Sequence, residues 1–262
     1  MLTMDTLCKT YPNGTKALEQ ISLNVDAGEI VALVGGSGCG KTTLLRMISG
    51  LEAPSRGSVA IDGETIHAPH PAIGLVFQEA RLLPWLTVAE NISFGLDNLS
   101  KAEQDARVDE ALLRVGLAGY GKRWPRELSG GQAQRVSIVR ALVTQPKALL
   151  LDEPFSALDA LTREKLQDHL LALWETHRPT LVLVTHDVEE AVALADRASV
   201  LQPKPGRIFA DIPIELPRPR DRLSPEFAEA KRLVLKALDG SINQPNPQQT
   251  GKVYSPSAGG SF

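Results

Sequence analysis

The hydrophobic pattern of this 262-residue chain changes period along its length, and the changes mark out its elements. Residues 29–35, EIVALVG, form a continuous apolar, β-branched run that stops at glycines, which predicts a buried strand. KTTLLRMISGL follows with apolar residues at helical spacing, and Gly50 is placed to end that helix. Residues 29–50 therefore predict strand, glycine turn, helix. KALLLD (147–152) and TLVLVT (180–185) repeat the apolar run, and helical spacing returns after each, at about 157–175 and 187–195. Strands alternating with helices predict an α/β fold, a mainly parallel sheet with helices on both faces.

Two regions depart from this rhythm. Between about 80 and 146 strand signals are few, and DARVDEALLRVGL and GQAQRVSIVRALV read as amphipathic helices. A helical subdomain inserted into the α/β core is expected there. The first 28 residues and residues 57–77 carry the short β runs ISLNV, GSVAI and IGLVF, expected to form an antiparallel side sheet. Prolines recur from 203, in PKPGRIFADIPIELPRPRDR. One further helix is expected over 224–238, with Ser224 as N-cap and Pro225 at the first helical position. From about 240 the chain is polar and rich in Pro, Gly and Ser, a composition that predicts disorder. The expected organisation is one domain over residues 1–240, with the helical insertion, and a disordered tail over 241–262.

Composition narrows the functional classes. The chain is 43% hydrophobic and 23% charged, which suits a sizeable core. A formal net charge of -3 argues against nucleic acid as a partner, which usually needs a basic face. Cys8 and Cys39 show no CxxC spacing, which argues against a disulfide framework or a zinc site and fits a reduced compartment. His67, His70, His169 and His177 lack metal-ligand spacing and read as surface residues. Trp85, Trp124 and Trp174 read as packing residues, with Trp85 the exception to watch. The N-terminus lacks the basic-then-apolar order of a signal peptide. No apolar run approaches the ~18–20 residues of a membrane span, so action at a membrane would need another subunit to cross it.

The strongest chemistry lies at residues 35–43, GGSGCGKTT, which contain the pattern GxxxxGK[ST]. Glycines let successive backbone N–H groups turn inward around phosphate oxygens, and the following helix adds its positive end. Gly35, Gly36, Ser37, Gly38, Cys39, Gly40, Lys41, Thr42 and Thr43 are the candidate nucleotide contacts. Lys41 reaches the β- and γ-phosphates, and the Thr42 hydroxyl is placed for Mg²⁺. The guanine-reading pattern NKxD is absent, which favours ATP. Asp152 and Glu153 close the apolar strand. A carboxylate there can hold Mg²⁺, and its neighbour can orient a water for attack on the γ-phosphate. Cys39 sits at a helix N-terminus, where a thiolate is favoured. The preferred reading makes it simply a small residue that fits.

A second glycine turn, LSGGQ at 128–132, opens onto a helix nearly a hundred residues further on. LSGGQ, the cradle and LLLDE (149–153) together resemble the nucleotide-binding subunits of ATP-binding cassette transporters. Further landmarks follow in order. Gln78 in LVFQE resembles the family's glutamine loop, SALD (156–159) its aspartate-bearing loop and His186 its switch histidine. Tyr11 resembles the aromatic that stacks on adenine. The resemblance covers about residues 1–220. It departs from the commonest pattern at Gly36, where proline is frequent, and at Thr42, where serine is usual.

That resemblance implies a head-to-tail homodimer in the ATP-bound state. Each ATP would lie between the cradle of one chain and Ser129, Gly130, Gly131 and Gln132 of the other, with Asp159 communicating across the dimer. Glu153 would be the general base or water-orienting carboxylate. His186 would contact the γ-phosphate and the attacking water, and Thr42, Gln78 and Asp152 would surround Mg²⁺. Transmembrane permease subunits would dock near the Gln78 loop, and an external solute-binding protein would act indirectly. The location implied is the cytoplasmic face of the inner membrane. FQEARLLPWLTVAENISFGL (77–96) and KPGRIFADIPIELPRPRD (204–221) look similar to the nitrate/sulfonate/taurine importer subgroup. LLPW then reads either as part of the docking groove or as plain subdomain core. Other cassette transporters, and a soluble cassette protein acting as a nucleic-acid or assembly factor, are the alternatives.

Overall fold

The computed structural model describes residues 1–243. In chain order the elements are β1 (Leu2–Thr10), β2 (Lys16–Val25), β3 (Ile30–Val34), α1 (Lys41–Ile48), β4 (Arg56–Ile61), β5 (Glu64–Thr65) and β6 (Ile73–Val76). Then come α2 (Val88–Ser93), α3 (Lys101–Arg114), α4 (Gly130–Leu142), β7 (Ala148–Asp152), α5 (Ala160–His177) and β8 (Thr180–Thr185). The chain continues through α6 (Val188–Leu194), β9 (Arg197–Gln202), β10 (Arg207–Pro213) and α7 (Pro225–Asn243).

The three apolar runs are adjacent central strands. They lie in a six-stranded sheet of order β10-β9-β3-β8-β7-β6, parallel except for the antiparallel β9-β10 pair. Every residue of β3 and β8 is buried, as expected of strands covered on both faces. The two-residue side-chain period divides them. Val31, Leu33, Val182 and Val184 pack toward α1 and the side sheet. Ile30, Ala32, Val34, Leu181 and Leu183 pack toward the helices of the opposite layer.

The antiparallel side sheet has the order β2-β1-β4-β5 and contains the expected ISLNV and GSVAI runs. IGLVF does not join it. Ile73–Val76 pairs in parallel with β7 at the edge of the core sheet. A short apolar run states that a strand exists and not which sheet takes it. Here the parallel register onto Ala148–Leu151, with Val76 fully buried, decides the matter.

Three further differences concern missed or shifted elements. The hairpin β9-β10 was masked by Pro203 and Pro205 in its turn and Pro213 at the end of β10, although Ala210 and Ile212 alternate inward as a strand requires. Helix α2 is only six residues long, yet it carries a capping box between Thr87 and Glu90. Helix α7 starts as expected, with the Ser224 hydroxyl accepting from Phe227 N at 3.1 Å. It runs past 238 and includes Ser241–Asn243, which the composition assigned to the disordered tail. Ser241 is buried and its hydroxyl donates to Leu238 O at 2.7 Å, which keeps the last turn closed. The rest of that expected tail lies outside the described residues.

Candidate functional site

Strand β3 runs directly into the glycine turn, which delivers α1. Gly40 is the N-cap of α1 at φ 95°, a left-handed conformation natural to glycine. A Cβ there would also lie 2.5 Å from Leu18 Cδ2, so both backbone and packing demand glycine. Lys41 is buried, and its Nζ donates to Gly35 O at 2.6 Å and Gly36 O at 3.2 Å. The ammonium therefore lies inside the turn, within reach of whatever the turn holds. Tyr11 Oη stands 3.3 Å from the Thr43 hydroxyl, which places the aromatic expected for adenine beside α1.

Strand β7 brings two carboxylates to the same end of the sheet. Asp152 Oδ1 accepts from the Thr42 hydroxyl at 3.4 Å. Burial raises the Asp152 pKa, the Thr42 hydrogen bond opposes that shift, and the neighbouring Glu153 charge adds to it. A half-buried carboxylate beside a hydroxyl and a glycine turn is a hard oxygen donor set, the kind Mg²⁺ takes together with phosphate oxygens. Glu153 sits at φ 46°, a left-handed conformation uncommon for a non-glycine residue and frequent at functional positions. Its N–H donates to Val184 O at 2.9 Å, and Ser156 Oγ donates back to Glu153 O at 2.9 Å. The kinked backbone is thus held from both sides. From the end of β8, His186 Nδ1 lies 3.1 Å from Glu153 Oε2. Gln78 Nε2 donates to Ser156 Oγ at 3.1 Å. The structure thus brings Gln78 to the Glu153 turn, with no hydrogen bond to Thr42 or Asp152.

The residues of the second turn form a separate cluster. Ser129 caps α4 in a reciprocal box with Gln132 (Ser129 N to Gln132 Oε1, 2.9 Å). Ser129 and Gly130 are exposed. Gly131 packs against the Asp159 loop, because a Cβ there would meet Thr162 Cγ2 at 2.8 Å and Leu158 Cδ2 at 3.6 Å. Asp159 caps α5 by accepting from Thr162 N, and the Thr162 hydroxyl first and this backbone N–H second lower its pKa. Ser129, Gly130 and Gln132, with buried Gly131 beneath them, therefore cluster with the Asp159 loop.

Cys39 matches the preferred reading of a small residue that fits, and not the alternative of a thiolate. It is fully buried, and burial pushes its thiol pKa up despite the nearby Lys41. In the folded protein, iodoacetamide is expected to label the half-buried Cys8 well before Cys39, read by peptide mass spectrometry. Rapid labelling of Cys39 would contradict this. Trp174 is buried with Nε1 donating to Pro179 O at 2.9 Å, whereas Trp85 and Trp124 are 68% and 38% exposed and are not core.

Sequence reasoning missed how the Gln78 segment is held. From α4, Gln134 Nε2 donates to Phe77 O at 3.1 Å, and Arg140 donates to Ala80 O and Arg81 O at 3.2 and 3.1 Å. The sequence offered no sharp signal, because Gln134 and Arg140 stand in α4 among the other polar residues Gln132, Arg135 and Ser137. No helix among the described residues is long and apolar enough to cross a membrane.

A glycine turn between a parallel strand and a helix, a lysine inside it, and an acidic pair at the end of a second parallel strand of the same sheet define a P-loop nucleotide-binding ATPase. The sequence matches the ABC transporter family over residues 18–156, and the chain belongs to that family as an ATP-binding, ATP-hydrolysing subunit. It is 48% identical over 222 residues to the aliphatic sulfonates import ATP-binding protein SsuB of Bacillus subtilis (strain 168), covering 85% of this chain and 87% of that one. It is 51% identical over 231 residues to SsuB 1 of Xanthomonas axonopodis pv. citri (strain 306), covering 86% and 92%. Among solved structures, the dimeric post-hydrolysis state of the ATP-binding cassette MJ0796 bound to ADP and Pi superposes with a TM-score of 0.73 at 34% identity. That match covers 82% of this chain and all of the other.

Proposed function

We propose that this chain is the ATPase subunit of an importer for aliphatic sulfonates, with taurine and nitrate as the related candidate solutes. Residues 1–240 act as one nucleotide-binding domain, with the helices of 80–146 as its insertion. Two copies close on ATP, each covering its partner's cradle with Ser129, Gly130, Gly131, Gln132 and Asp159. The observation that carries the reading is the meeting of Glu153 and His186 at 3.1 Å, beside Asp152 and Thr42 at the mouth of the glycine turn.

In this reading Lys41 and the backbone N–H groups of residues 35–43 bind the phosphates. Glu153 accepts hydrogen from the attacking water, and His186 holds Glu153 and the γ-phosphate in register. Thr42 and Asp152, with Gln78, would hold Mg²⁺, which would supply neutralisation of phosphate charge. The γ-phosphoryl leaves the β-phosphate oxygen for water, inorganic phosphate departs, the charge between the two copies falls, and the dimer opens. Permease subunits dock beside the Gln78 segment, where Trp85 and Phe94 are exposed, and a solute-binding protein acts outside. The dimer sits on the cytoplasmic face of the inner membrane. The names of the two SsuB relatives support the sulfonate assignment.

Uptake of labelled alkanesulfonate, taurine and nitrate, in cells whose only copy carries Glu153→Gln, tests the assignment. Selective loss of alkanesulfonate uptake is expected. Selective loss of another solute, or normal uptake of all three, would sink the sulfonate reading.

A further inference from the structure

His186 stands between two residues that are both tied into one polar network. Before it, the Thr185 hydroxyl donates to Glu190 Oε2 at 2.6 Å and accepts from Asp187 N at 2.9 Å. After it, Asp187 Oδ1 caps α6 through Glu189 N at 2.8 Å. The backbone that presents His186 is therefore set by Glu190 and Asp187. Glu190 is 4% exposed, and burial raises its pKa. A buried carboxylate of this kind needs a partner.

The cation facing both carboxylates comes from a different loop. Arg163 Nη1 donates to Asp187 Oδ2 at 3.1 Å, and Nη2 donates to Leu158 O at 3.2 Å, inside the SALD loop that ends in Asp159. Arg163 Nε is buried without a hydrogen bond and lies 3.7 Å from Glu190 Oε1, so a small shift of the guanidinium would close that contact. One planar fork thus holds a carbonyl of the Asp159 loop on one side and the His186 turn on the other. Displacing the Asp159 loop must move Leu158 O, and with it the guanidinium that sets Asp187.

We infer that Arg163 and Glu190 are positioning residues that transmit the state of the Asp159 loop to His186. The inference rests on the roles proposed above for Asp159 and His186. The geometry links the surface that meets the partner copy to the histidine at the chain's own γ-phosphate. Closure of the dimer on one site would then set the hydrolytic groups of the other.

The test is steady-state ATPase of Arg163→Gln, Glu190→Gln and the double variant in an otherwise unchanged chain. Turnover is expected to fall about three- to thirtyfold. The KM for ATP should stay within about twofold and the unfolding midpoint should hold. The double variant should be no worse than the more severe single, because the pair acts as a unit. In a chain already carrying Asp159→Ala, Arg163→Gln should add no further loss. Unchanged turnover, or a loss that tracks KM or the unfolding midpoint, or effects that multiply in either combination, would overturn the inference. If Arg163→Gln does not fold, Arg163→Lys gives the same readouts, since a single ammonium lacks the planar fork that spans Leu158 O and Asp187. Glu153→Gln assayed alongside separates the two claims. If that chain turns over normally, the role given to Glu153 fails while the Arg163 result still stands or falls on its own.

Discussion

A chain carrying Glu153→Gln is expected to bind ATP as the unaltered chain does and to turn it over about 10²–10⁴-fold more slowly. The amide has the size of the carboxylate and can keep a hydrogen bond with His186, 3.1 Å away. What it loses is the negative charge that polarises water. The substitution touches no core packing, and the backbone at 153 is held by Val184 O and the Ser156 hydroxyl whatever side chain it carries. Stability should therefore hold, and any loss belongs to the chemical step. With hydrolysis blocked, the nucleotide that joins the two copies is not consumed, so the dimer should accumulate. Phosphate release measures the first effect and sedimentation with ATP the second. Residual turnover within tenfold of the unaltered chain would remove Glu153 from the chemistry. An ATP-bound monomer would remove the sandwich.

Much of the site was legible because its residues follow from backbone requirements. A phosphate cradle needs glycines and a helix start, so GGSGCGKTT announces itself, and an acid after LLL marks the end of a buried strand. The LSGGQ turn was equally plain as a local structure, yet its partner in space was not. Its packing against Leu158 and Thr162 comes from α4 meeting α5, a long-range contact that periodicity does not encode. The same holds for Arg163, which reads in sequence as an ordinary surface arginine on a helix. Only the fold places Asp187, Glu190 and Leu158 O around it.

The sheet assignments failed and succeeded for related reasons. Central strands buried on both faces leave unbroken apolar runs, and all three were found. Edge strands leave weaker traces. IGLV is half-buried over three of its four residues, and RIFADIP is half-buried over most of its length, so neither states its partner. Capping boxes were the neglected signal. Thr87 with Glu90 and Ser100 with Glu103 mark the starts of α2 and α3 more sharply than apolar spacing does.

Gly130→Asp should separate stability from function in opposite directions. An added Cβ at Gly130 meets nothing within 4 Å, and the backbone there is an ordinary helical first position. A carboxylate at a helix start is favourable by about 0.3–1 kcal/mol. The folded chain should therefore melt at the same temperature or slightly higher, and the cradle of the same chain should bind ATP unchanged. Turnover should nevertheless fall about 10²-fold or more, because the new charge would face the γ-phosphate held by the partner copy and displace its donors. Mixing gives the sharper result. Lys41→Met damages the cradle and Gly130→Asp damages the cover, so a homodimer of either has two defective sites. A mixed dimer has one site with both lesions and one with neither. Equal mixing makes half the dimers mixed, so activity should recover to roughly a quarter of the unaltered level in a two-fold assembly. If the mixture stays inactive while the mixed dimers demonstrably form, the cradle and LSGGQ do not belong to opposite chains of one site. If Gly130→Asp alone is fully active, the second glycine turn does not cover a nucleotide at all.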